Sequence, residues 1–137
     1  MSSDLQPEVA VVTLGSLLGS DQTELPVFSA RTKTRILGID LLNAANISAH
    51  TSNYGVATVY RKGTGGTGTT VVAQRNSTAD SVTGYVPWPV TLSTTIANRE
   101  LNANEVLTLK WTENGLGQDL SNAKVAVHYA QGYGGGI

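Results

Sequence analysis

A two-residue rhythm in the second half of the chain constrains its fold more than any other feature. In 105-EVLTLKWT-112, Leu107, Leu109 and Trp111 alternate with Val106, Thr108 and Lys110. In 123-AKVAVHYA-130, Val125, Val127 and Tyr129 alternate with Lys124, Ala126 and His128. Successive side chains of an extended backbone leave it on opposite sides, so each segment reads as a half-buried strand. The rhythm recurs earlier, with Leu37, Ile39 and Leu41 sharing a face in KTRILGIDLL and Val56, Thr58 and Tyr60 in GVATVYR. It recurs again in PVTLSTTIA, through Val90, Leu92, Thr94 and Ile96. Turn-forming stretches separate these segments: NAANISAHTSN, GTGGTG, QRNSTADSVTG, NRELNANE and ENGLGQDLSN. Helical periodicity is nowhere sustained, and the best helical candidate is one turn from Leu42 to Ile47. The pattern predicts an all-β chain, an antiparallel β-sandwich or jelly roll of about seven or eight strands.

A chain of 137 residues supports one hydrophobic core. The division expected from texture is an N-terminal arm or pair of edge strands over 1–30, a β-sandwich domain over 31–131, and a flexible glycine-rich tail over 132–137. The first segment has short apolar bursts (Val9 to Leu14, Leu17-Leu18, Val27-Phe28) broken by Gly15, Gly19 and Pro26.

Charged residues make up 14% of the chain and the net charge is −1. No basic face is gathered, which argues against nucleic-acid binding. The absence of cysteine removes disulfides, thiolate metal sites and cysteine nucleophiles. No apolar run is long enough to cross a bilayer, and the N-terminus lacks the basic and apolar regions of a secretory signal. No nucleic acid, membrane, metal or cofactor is expected as a partner.

The stretch 63-GTGGTG-68 fits the dinucleotide fingerprint G-x-G-x-x-G letter for letter. That fingerprint works only where a helix N-terminus follows and holds the pyrophosphate. Here Thr69-Thr70-Val71-Val72 follows, a β-branched run that favours strand. The glycines therefore read as the tip of a β-hairpin. A P-loop is excluded too, because Lys62 precedes the glycines instead of following them.

His50 and His128 have no acidic or histidine neighbour at ligand spacing. An enzyme would need a pocket bringing one of them to Asp40, Asp80 or Glu105. Asp40 lies between Ile39 and Leu41 and points away from the Leu37–Ile39–Leu41 face; it reads as an edge-strand or solvent carboxylate, the alternative being a buried one partnered by Arg35 or Lys33 on a neighbouring strand of an oligomer. In 84-GYVPWPV-90, Trp88 between two prolines is either a stacking platform for sugar, together with Tyr85, or a rigid packed corner.

From about Lys33 to Ala130 the sequence resembles the small β-sandwich capsid-decoration, or cement, proteins of tailed bacteriophages. The likeness is carried by RILGIDLLNAANISAHTSNYGVATVYRKGTGGTGTTVVAQ and by VTLSTTIANRELNANEVLTLKWTENGLGQDLSNAKVAVHYA. The resemblance implies a non-enzymatic virion protein, made in the host cytoplasm. It would bind the outer capsid surface, often as a homotrimer, and stabilise the lattice by bridging major capsid protein subunits. On that reading Val9, Val11, Leu17, Leu18, Val27, Phe28 and Trp88 are the expected partner contacts. The alternative expectation is a carbohydrate- or receptor-binding module of a phage tail, neck or head fibre.

Overall fold

The computed structural model describes residues 7–17 and 24–132. They form nine strands: β1 (Pro7–Leu17), β2 (Glu24–Ser29), β3 (Thr34–Leu42), β4 (Tyr54–Arg61), β5 (Thr70–Asn76), β6 (Trp88–Pro89), β7 (Glu100–Leu101), β8 (Val106–Asn114) and β9 (Leu120–Gln131). One 3-10 turn, Ile96–Arg99, precedes β7. One sheet runs β1-β9-β3-β6, with β7 pairing the start of β3, and the other runs β2-β8-β4-β5. Every pairing is antiparallel. Chain order alternates between the sheets except at β4–β5 and β6–β7, and β1 lies beside β9 and β2 beside β8. This is jelly-roll connectivity, a five-stranded and a four-stranded layer closed by long-range pairing of β1 with β9 and of β2 with β8.

The strands with the clearest alternation build the centre. Leu107, Leu109 and Trp111 of β8 and Val125 and Val127 of β9 are buried, and each fully buried aliphatic chain contributes roughly 1.5–3 kcal/mol. Facing them across the layers are Ile36, Ile39 and Leu41 of β3, Ala57 and Val59 of β4, and Val72 of β5, in one continuous core.

Two phase expectations and two element expectations change. In β3 a bulge between Ile36 and Gly38 breaks the register, so Ile36 enters the core with Ile39 and Leu41 while Leu37 turns out to solvent. An extra residue on one strand reverses the facing of everything before it. In β4 the core face is Ala57 and Val59, and Val56, Thr58 and Tyr60 take the outer side. There Thr58 is covered by Gln74, whose Nε2 donates to Thr58 Oγ1 at 2.9 Å. The strand expected across Val90 to Ile96 is reduced to β6, a bridge at Leu92 and the 3-10 turn. Residues 42–47 form no helix: β3 runs through Leu42, and Ile47 is fixed by a bridge to Val82.

The 63–68 glycines join β4 to β5 as a hairpin tip. Gly63 and Gly66 take φ of 70° and 77°, and Gly68 passes so close to the backbone of Arg61 and Lys62 that a Cβ would lie 2.9 Å from both carbonyl oxygens. The run after Gly68 is strand, which removes the helix N-terminus that a dinucleotide requires.

Candidate functional site

The sheet edges differ in how they end. The outer edge of β5 is covered by the 91–93 segment, through Gln74 N–H to Thr91 O (2.9 Å) and Ser93 N–H to Val72 O (2.8 Å). The edge strand β2 carries Pro26, and its Glu24 pairs with Lys62 at 2.9 Å. Proline and charge are common devices that stop an edge from accepting another strand. β1 is 11 residues long, ends its sheet, and has no charged residue between Glu8 and Asp21. Pro7 and Glu8 stand at its start and register breaks at its end, between Thr13 and Leu17, so among the described residues the stretch Val9–Val12 is the part of this edge that carries neither device.

Val9 and Val11 are 54% and 57% exposed. They stand on the outer face, because Val9 pairs with His128 and Val11 with Ala126, while Leu14 on the other phase is buried. The row continues across β9 into β3, where His128 opposes Gly38 and Ala126 opposes Asp40, and then to Pro89 of β6. Cross-strand partners share a face, so this is one shallow surface of valine, alanine, glycine and proline. A single polar clasp crosses it: His128 Nε2 lies 3.0 Å from Asp40 Oδ2. Within its own sheet Asp40 therefore takes His128 as partner. Arg35 pairs with Glu100.

The other expected contacts are placed differently. Val27 is 4% exposed and packs in the core of this chain. Trp88 is also 4% exposed, buried under the Arg75 guanidinium, which stands 4.5 Å above its ring. It acts as the packed corner, and the sugar-platform role does not fit it. Phe28 packs its ring on Tyr129 at 4.7 Å and ties the edge of one sheet to the other. Burial, and secondarily the Glu8 carboxylate that accepts its hydroxyl hydrogen bond, push the Tyr129 phenol above its usual value. Leu17 closes β1 opposite Leu120, and Leu18 and the tail from 133 lie outside the described residues. Val9 and Val11 are left as the exposed contacts of the expected set.

Of the expected histidine–acid pairs, only His128 with Asp40 comes together. His50 Nδ1 accepts the backbone N–H groups of Ser52 (3.0 Å) and Asn53 (2.8 Å) and closes the 50–53 turn. Asp80 pairs with Arg75, and Glu105 accepts the Asn102 N–H at 2.8 Å with Arg61 beside it. The cross-strand neighbours of the His128–Asp40 pair are Val9, Gly38, Ala126 and Pro89, none of which offers a nucleophile or second acid. No group of three His, Asp or Glu side chains suited to a metal occurs among the described residues, and none of their helices is long and apolar enough to cross a membrane.

No protein-family model and no curated protein matches the chain. Among solved structures it is similar to a chain of infectious bursal disease virus, Gx strain, with 18% identity and a TM-score of 0.43 over 96% of this chain and 33% of that one. It is also similar to the VP2 subviral particle of infectious bursal disease virus, with 21% identity and a TM-score of 0.42 over 95% of this chain and 33% of that one. The chain thus spans about a third of the length of the solved chains it resembles.

Proposed function

We propose that this protein is a non-enzymatic virion structural protein that binds the outer surface of a capsid and bridges major capsid protein subunits, acting as a homotrimer. The observation that carries the reading is the β1 edge, with exposed Val9 and Val11 beside it on the outer sheet face. Such an edge presents unpaired backbone donors and acceptors, and an extended segment of a partner can add to it as a further strand. The jelly roll supplies a rigid platform of a kind used by capsid proteins and lectins alike, so the fold supports the reading by analogy only. Repetition on a symmetric lattice then turns modest contacts into tight attachment.

The test is co-sedimentation of the full chain with empty capsids assembled from the cognate major capsid protein, for the wild type and Val11→Lys. A lysine on the exposed face of an edge strand leaves the core intact and opposes strand addition. Wild type should pellet with the particles and Val11→Lys should remain in the supernatant, both as folded proteins by circular dichroism. Wild type that stays in solution, or a variant that pellets equally, overturns the reading.

A further inference from the structure

At one end of the sandwich the chain builds an open groove of about 280 Å3, lined by Leu42, Asn43, Ala44, Tyr85, Asn122 and Lys124. Three segments meet there, and buried Asn43 ties them together. Its Oδ1 accepts the Ser121 N–H, its Nδ2 donates to Ala45 O, and its backbone carbonyl accepts the Tyr85 N–H, all at 2.8 Å. Gly84 N–H adds a 2.7 Å bond to Asn46 Oδ1. These contacts hold Tyr85 at a φ of 62°, and Asn122 on the opposite wall has a φ of 43°. Left-handed backbone is unfavourable for a tyrosine and persists only where surroundings impose it, a condition common at binding sites. Its result is a ring that is 82% exposed above a fixed backbone.

The chemistry of the lining is mixed in a specific way. Leu42 and Ala44 give an apolar floor, Tyr85 a flat ring, Asn122 an amide and Lys124 an ammonium. Lys124 makes no ion pair among the described residues. A pyranose offers a C–H face to an aromatic ring and hydroxyls to an amide, and a carboxylate on the sugar would answer the free ammonium. A phosphate-bearing ligand would require a denser set of donors than one lysine and one amide. We propose that this groove binds a single carboxylate-bearing sugar residue of an acidic glycan, a role separate from capsid attachment through β1.

The experiment is a 1H–15N NMR titration of the full chain with methyl glucuronoside, and with methyl glucoside as the neutral comparator. Saturable shifts are expected at the amides of Tyr85, Asn122 and Lys124 with the glucuronoside, and weaker ones with the glucoside. Tyr85→Asn keeps a residue that tolerates the left-handed backbone and removes the ring, and it should weaken binding roughly tenfold. Lys124→Gln should bring the glucuronoside down to the affinity of the glucoside. The proposal is overturned by the absence of saturable shifts with the glucuronoside, by wild-type affinity in Tyr85→Asn, or by glucoside binding as tight as glucuronoside.

Discussion

His128 on β9 and Asp40 on β3 meet side chain to side chain at 3.0 Å on the outer face of one sheet, directly beside the open edge strand. Gly38 lies opposite His128, where a Cβ would make only ordinary contact with the imidazole at 3.5 Å. Both side chains are partly solvated, so the pair is worth the modest amount of a surface interaction. A double-mutant cycle with Asp40→Asn and His128→Gln should give a coupling of about 0.2–1 kcal/mol in urea denaturation. Both variants should still pellet with capsids, since Val9 and Val11 are untouched. Loss of attachment in either single variant would move the docking site from the β1 edge to the clasp.

A second pair fixes the centre of the other sheet. Gly55 on β4 lies under the indole of Trp111, and a Cβ at 55 would overlap the Cζ2 and Cη2 ring atoms. The indole has little freedom to move, because its Nε1 donates to Gln118 O at 3.2 Å and the residue is buried. Gly55→Ala should therefore cost about 3 kcal/mol, at or above the usual range for overpacking. Pairing it with Trp111→Leu should restore part of that loss, because the smaller side chain vacates the space the methyl needs. Thermal denaturation of the two single variants and the double variant checks this.

These pairs show why some of the fold was legible in the sequence and some was not. The alternation of β8 and β9 could be read directly, since Leu107, Leu109, Trp111, Val125 and Val127 sit where a period of two places them. The facing of β3 could not, because one bulge at Leu37 reverses the phase and a bulge has no signature in an apolar run such as RILGI. In β4 the small residues Gly55 and Ala57 face the core because Trp111 fills the space above them, so the larger residues of the segment were a misleading guide. Asp40 and His128 were each legible as off-core residues of their strands. That they are neighbours depends on β3 pairing with β9, a contact between residues 88 positions apart. The groove was legible only through Tyr85, since Asn43 just after β3 and Asn122 near the start of β9 are brought to it by the pairing of those strands.

Acid should weaken the protein in part through Glu24. Its carboxylate accepts hydrogen bonds from Lys62 Nζ and Thr108 Oγ1, both at 2.9 Å. The Lys62 hydrogen bond is the largest influence and holds its pKa below the ordinary 4.5, against the opposing effect of burial. A depressed carboxylate stabilises the fold above its unfolded pKa and loses that contribution as pH falls through the folded value. Stability should thus be steady above pH 4.5 on this account and decline below it. Glu24→Gln should lose about 1 kcal/mol or less at neutral pH and show a shallower decline in acid, so that the two urea midpoints converge. Midpoints that keep their neutral-pH separation down to strongly acidic pH would disconnect Glu24 from the acid response.

The glycine-rich hairpin tip offers a test within a single loop. At Gly65 a Cβ would meet nothing nearer than Thr67 Oγ1 at 3.9 Å, whereas at Gly68 it would press on two backbone carbonyls at 2.9 Å. Gly68 is also anchored by its N–H to Lys62 O at 2.8 Å, the bond that closes the loop onto the end of β4. Backbone cannot step aside as a flexible side chain can, so Gly68→Ala should destabilise by about 1–3 kcal/mol through local overpacking. Gly65→Ala should be neutral or slightly stabilising, because it removes freedom from the unfolded chain without creating a clash. Equal effects at the two positions, read from urea midpoints, would mean that the loop needs only general flexibility. The expected contrast would show that close backbone approach at its second anchor is what the glycine at 68 provides.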